Sequence, residues 1–241
     1  YLDVPASADA SLPPVFFVHG ASGNLRDQLG AFGEKMSGQA RLIFIDRPGH
    51  GYSDRGDGPI HDPSEQAAVF KDLLDYLKID KAVLVGHSER RTLYAETDAD
   101  VLAKTEAALE AGLTPFVCIG ETLEEREADQ TEMVIEQQIN AVLKGLSVQQ
   151  LARCVFAYEP VWAIGTGKTA SPEQAQQVHA FIRGLLAAKD EELALHSHIL
   201  YGGSVKASNA KELFAQQDID GGLVGGASLN AEEFLGICNP A

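Results

Sequence analysis

Apolar positions along the chain form short continuous runs, separated by longer stretches in which they recur every three or four residues. The continuous runs lie at 15–18, 42–45, 82–85, 115–119, 155–158, 198–201 and 222–224. Runs this short and unbroken predict strands buried on both faces of a parallel sheet. Between them stand helical patterns: SEQAAVFKDLLDYLK, ADVLAKTEAALEAG, TEMVIEQQINAVLKGL and SPEQAQQVHAFIRGLLAAK. In the third, Val134, Ile135, Ile139, Val142 and Leu143 repeat at helical spacing. Asp98 and Ser171 read as N-caps, Pro172 takes the favoured first helical position, and Gly112 ends its helix. Alternating strand and helix predicts an α/β fold of parallel βα units, closed as a barrel or open and doubly wound. The seven runs are one short of the eight strands of a regular barrel.

Composition narrows the function classes. The 241 residues suffice for one barrel-sized domain or two small ones, and 45% hydrophobic residues supply a sizeable core. With 19 basic against 35 acidic residues the net charge is −16 and no Lys/Arg run stands out, which excludes a nucleic-acid binder. The acidity reads as a solvated surface, so an anionic ligand must be held by local dipoles against the overall field. Cys118, Cys154 and Cys238 lack metal-type spacing, and the first two fall in or beside apolar runs, as buried reduced thiols do. No metal is expected. No apolar stretch approaches the roughly twenty residues of a membrane helix, and YLDVPASADASLPP lacks the order of a signal peptide. A cytoplasmic protein without a membrane partner is expected.

Four loops, each after a strand run, carry candidate chemistry: VGHSERR at 85–91, AYEPVWAIGTGK at 157–168, YGGSV at 201–205 and LVGGASL at 223–229. Supporting blocks are CIGETLEERE at 118–127 and SNAKELFAQQDIDG at 208–221. In this order, across about two-thirds of the chain, they resemble the triosephosphate isomerases. Isomerising a phosphorylated hydroxyketone needs a carboxylate to move a proton between adjacent carbons. It also needs a neutral donor to polarise the carbonyl and stabilise the enediolate. The resemblance assigns these roles to Glu159 and His87. The family is itself the standing example of a histidine kept neutral by a helix N-terminus. The resemblance further implies a water-excluding lid over 160–168, with Gly165 and Gly167 giving backbone freedom and Trp162 apolar cover. It implies phosphate binding by Gly165, Ser204, Gly225 and Gly226, a helix capped by Asn230, and no cofactor.

The N-terminal third reads differently. VFFVHGASGN at 15–24, IDRPGHGYSDR at 45–55 and KAVLVGHS at 81–88 resemble the α/β-hydrolases. There HG belongs to the oxyanion-hole loop, and GHS opens the G-x-S-x-G nucleophile elbow. Both resemblances share VLVGHS, where a hydrolase would use Ser88 and an isomerase His87. The elbow needs a small residue two positions after the serine, and Arg90 stands there instead. His179, His196 and His198 lie in isomerase-like sequence, one on a helix face and two leading into a strand, so Ser88 lacks an evident triad partner.

The predicted organisation is a hydrolase-like doubly wound part, 1–81, joined to an incomplete barrel of isomerase type, 82–241. Three strands stand where the isomerase family has four before the strand at 115–119. The family's Asn-x-Lys segment after its first strand is absent; Asn24 and Arg26 are the nearest candidates. Loss of a cation aimed at developing charge typically costs several kcal/mol, which predicts impaired activity. The family's dimer-building loop after its third strand is absent too, so a monomer or weak dimer is expected. Three readings stand: an isomerase of a small phosphorylated triose, a serine esterase using Ser88, and an inactive chimeric scaffold.

Overall fold

Strands form where the apolar runs lie, and the chain sorts into two units, Tyr1–Asp80 with Asn230–Glu232 and Lys81–Leu229 with Glu233–Ala241. The structure, a computed structural model, describes residues 1–10, 14–18, 24–54, 63–79, 82–166 and 168–238. Among residues singled out above, His19, Gly20, Arg55, Lys81 and Gly167 lie outside the described residues.

The first unit contains β1 (Leu2–Val4), β2 (Val15–Val18), α1 (Leu25–Gln28), β3 (Leu42–Ile45) and α2 (Pro63–Leu77). Central β3 pairs in parallel with β2 and antiparallel with β1. Its run LIFI is buried at every position, as a strand covered on both faces requires. Phe17 stacks on Phe44 with ring centroids 4.5 Å apart. The edge strand β1 escaped the periodicity reading because LDV offers only two apolar residues around an acid. Its Asp3 instead receives two hydrogen bonds from Arg41, at 3.0 and 2.7 Å. After β3, the carboxylate of Asp46 accepts the N–H groups of Leu25 and Tyr52 at 2.7 and 2.9 Å. Gly51, at φ +53°, passes so close that a Cβ would lie 2.1 Å from Asp46 Oδ2. The DRPGHGYS string is thus a loop folded around its own acid.

The second unit runs β4 (Ala82–Val85), α3 (Ser88–Tyr94), α4 (Asp98–Glu110), β5 (Thr114–Ile119), α5 (Leu123–Glu127), α6 (Thr131–Gly145), α7 (Val148–Leu151), β6 (Val155–Tyr158), α8 (Pro172–Lys189), α9 (Glu191–His196), β7 (Ile199–Tyr201), α10 (Ala207–Phe214) and β8 (Gly221–Gly222); α11 (Ala231–Cys238) closes the chain. Its five strands form one parallel sheet in chain order. The pairs Val85–Val117, Ile119–Tyr158, Tyr158–Tyr201 and Tyr201–Gly222 set the C-terminal strand ends side by side. Ile135, Ile139 and Val142 of α6 and Ala175, Ile182 and Leu186 of α8 are fully buried in the core. Each large aliphatic chain among them contributes about 1.5–3 kcal/mol of burial. Among the described residues no helix is long and apolar enough to cross a membrane.

Several local boundaries differ from the sequence reading. The N-cap of α4 is Thr97, whose Oγ1 accepts the Asp100 N–H at 3.2 Å. Asp98 sits one residue inside, its carboxylate taken by Arg91 Nη1 at 2.6 Å. Gly112, at φ +74°, follows the helix end in the left-handed conformation glycine favours. β8 is shorter than its run, and His196 closes α9 instead of leading into β7.

The opposite ends of β7 and β8 are tied by one side chain. Arg183 of α8 donates to Asp218 Oδ1 at 2.7 Å, Asp220 Oδ2 at 2.8 Å and the carbonyl of Ala194 at 2.7 Å. Asp220 Oδ2 in turn accepts the Ile199 N–H at 2.7 Å, at the start of β7. Removing the guanidinium leaves the buried Asp218 carboxylate without its cation, so Arg183→Met should cost about 3 kcal/mol. Urea unfolding followed by Trp162, the single tryptophan of the chain, should show an earlier midpoint for this unit; an unchanged midpoint would count against the clamp.

Candidate active site

Every strand of the second sheet delivers its loop at the same rim, because all run in one direction. After β4, Gly86 turns the chain at φ +73°, where a Cβ would approach Val101 Cγ2 to 2.9 Å. The turn aims His87 over the rim and starts α3, with His87 as its N-cap. Arg91 braces the turn by donating through Nε to the Gly86 carbonyl at 3.1 Å. His87 Nδ1 accepts the Glu89 N–H at 3.3 Å. An accepting Nδ1 puts the proton on Nε2, the neutral donor tautomer. That Nε2 lies 3.0 Å from Glu159 Oε1.

Glu159 follows β6 directly and is 2% exposed. Its own N–H donates to the Ile119 carbonyl at 2.7 Å, and its Oε2 accepts the Ser88 N–H at 2.9 Å. Flanking glycines permit the close approach: a Cβ at Gly120 would lie 1.7 Å from the Glu159 carbonyl oxygen, and one at Gly202 would lie 2.8 Å from Glu159 Cγ. Burial pushes the Glu159 carboxyl above the usual carboxylate range, against the opposing pull of His87, the Ser88 N–H and the Cys118 thiol. The free, buried Cys118 thiol is itself pushed up, first by burial and then by Glu159. Cys154, also free and buried, is pushed up to about 12 by burial.

His87, Glu159, Gly165, Ser204, Gly225 and Gly226 all line one cavity of about 600 Å³. A Cβ at Gly165, Gly225 or Gly226 would meet nothing within 4 Å. Packing therefore does not demand glycine there, although Gly165, at φ +68°, stands in the left-handed region that favours it. Asn230 Oδ1 accepts the Glu232 N–H at 3.0 Å, as a cap does. Ser88 is buried and does not line the cavity. Among the described residues no cluster of His, Cys, Asp or Glu is arranged to hold a metal.

Sequence reading missed several rim residues. Lys206 and Glu233 line the cavity, yet neither stands out by residue type on an ordinary helix start. Glu121, fully buried, accepts from Trp162 Nε1 at 2.9 Å, Arg126 Nη1 at 3.0 Å and the Tyr158 hydroxyl at 3.1 Å, all on Oε1. It thereby ties the start of the 160–168 segment to the loop after β5. An acid in GETLEERE gives no hint of burial, because its three donors come from separate elements.

Residues 69–241 match the family model of triosephosphate isomerase, and residues 13–88 match that of the alpha/beta hydrolase fold. Similar curated proteins include the triosephosphate isomerase of Hydrogenovibrio crunogenus, 62% identical over 159 residues, 66% of this chain and 63% of that protein. That of Thiobacillus denitrificans is 64% identical over 161 residues, covering 67% and 65%. That of Cupriavidus taiwanensis is 64% identical over 157 residues, covering 65% and 64%. The chain thus spans less than two-thirds of the length of these relatives.

The raised Glu159 carboxyl has a consequence for stability. Its folded state holds the proton more tightly than an unfolded chain, whose glutamates ionise near about 4.3. Stability is therefore lost as pH rises from that value through the folded titration. Glu159→Gln should raise the unfolding midpoint of this unit at pH 7, and the gain should vanish below about pH 4. A variant less stable than its parent at pH 7, or a gain independent of pH, would refute the electrostatic account.

Proposed function

The chain belongs to the triosephosphate isomerase family, and from that premise we propose that it interconverts dihydroxyacetone phosphate and glyceraldehyde 3-phosphate through an enediolate. Glu159 is the base that carries the proton between the two carbons, and His87 Nε2–H is the donor to the substrate oxygens. The observation that carries the reading is the pairing of His87 Nε2 with a buried carboxylate of raised basicity, 3.0 Å apart, on the wall of one glycine-lined cavity.

The resting geometry dictates part of the sequence of events. With 3.0 Å between Nε2 and Oε1 no substrate atom fits between the two groups. Substrate therefore displaces the carboxylate from His87, and Glu159 exchanges its hydrogen bonds for contact with a substrate carbon. Stripped of those donors in a site closed to water, the carboxylate becomes a stronger base. The phosphate lies against the backbone at Gly165, Ser204, Gly225 and Gly226, where open N–H groups favour an anion. Lys206 is the only lysine or arginine among the described residues lining the cavity and adds positive charge beside two acids, Glu159 and Glu233. The segment from Pro160, anchored by Trp162 on Glu121, covers the intermediate. The family's Asn-x-Lys cation has no counterpart in this chain, so turnover falls below that of a complete family site.

In a coupled isomerase assay at high enzyme concentration, the wild-type chain should show turnover that Glu159→Gln reduces to background. Equal rates in the two would overturn the proposal. The chain is also a monomer or weak dimer, lacking the family's dimer-building loop. Sedimentation should give the monomer mass at micromolar concentration, and a tight dimer there would contradict it.

A further inference from the structure

Glu159 leans on the loop after β5 at a glycine. The backbone of Glu159 packs so tightly on Gly120 that no side chain is tolerated there. Glycine is also the residue with the most backbone freedom to lose on folding. Close approach to the base thus removes any side chain at residue 120 itself, and places the loop's softest residue under the base, one step from Glu121. The same loop carries the lid, because Glu121 accepts the Val161 N–H on its carbonyl at 3.1 Å and the Trp162 Nε1–H on its side chain at 2.9 Å.

The backbone of Gly120 is held from 18 residues downstream, on α6. Gln138 Oε1 accepts the Gly120 N–H at 2.8 Å, and Gln138 Nε2 donates to the Gly120 carbonyl at 3.0 Å. A carboxamide offers, on atoms sharing one carbon, both the acceptor and the donor that the backbone N–H and C=O of one residue need. Its helix is held rigidly beneath by the fully buried Ile135, Ile139 and Val142. We infer that Gln138 is a positioning residue, acting through Gly120 on both the carboxylate of Glu159 and the tryptophan hinge of the lid. The catalytic half of this inference rests on Glu159 being the base; the hinge half does not.

Misplacement of a catalytic group by about 1 Å costs on the order of 10²-fold in rate. Gln138→Leu should therefore lower kcat about 10- to 100-fold while KM moves less than about 3-fold. It should also shift the emission of Trp162, the chain's only tryptophan, to longer wavelength as its hinge contact loosens. Gln138→Glu keeps an acceptor for the Gly120 N–H and should recover part of both effects. Ile139→Val, a loss of core packing on the same helix, should leave kcat and emission unchanged. Wild-type kcat and emission in Gln138→Leu would overturn the inference, as would equal losses in Ile139→Val. If wild-type protein turns over no substrate, the isomerase reading fails by itself, and the emission of the three variants still decides whether Gln138 braces the hinge.

Discussion

A carboxylate buried at the meeting of three strand ends must find in the backbone the solvation that water no longer supplies. Glu159 meets that demand with the Ser88 N–H on one oxygen and His87 Nε2 on the other. Much else in the larger unit follows. The Ser88 N–H is available because it opens α3, where helical N–H groups lack partners of their own. The α3 start lies over the rim because Gly86 turns there. Gly120 and Gly202 flank the acid because any Cβ would collide with it. The buried acid that lines the cavity is also the one that dictates glycine around it.

Much of this was legible in the residues. Strand positions followed from unbroken apolar runs, α6 from its apolar spacing and α8 from its Ser171–Pro172 start. Six site residues were named from short loop strings, and all six border a single cavity. What stayed hidden was hidden for physical reasons. β1 is an edge strand stabilised by an Arg41–Asp3 pair, which no periodicity reveals. The displaced cap at Thr97 turned on the competing demand of Arg91 for Asp98. Glu121 looks like one acid among several on a polar segment, and only tertiary structure brings its three donors together.

The hydrolase-like unit shows the same logic at a different acid. Asp46 is 2% exposed and gathers the backbone of two loops, with Gly51 pressed against it as Gly120 is pressed against Glu159. One acid organises loops and the other lines a cavity, although both sit just beyond the C-terminal end of a strand. Position in a βα unit thus does not by itself assign a role; what opens beside the carboxylate does.

The strand order of the second sheet, β4 to β8 in consecutive order, bears on heredity. Each ladder joins a strand only to the next along the chain, so the stretch from Ala82 to Gly222 is sewn by local stitches. Such a stretch can travel between genes as one piece, because a break just ahead of β4 cuts none of those stitches. The strand at the seam, AVLV, ends on a GHS motif that both families place at a strand end. The two family matches overlap on this strand, and every loop that lines the cavity lies on the isomerase side of it.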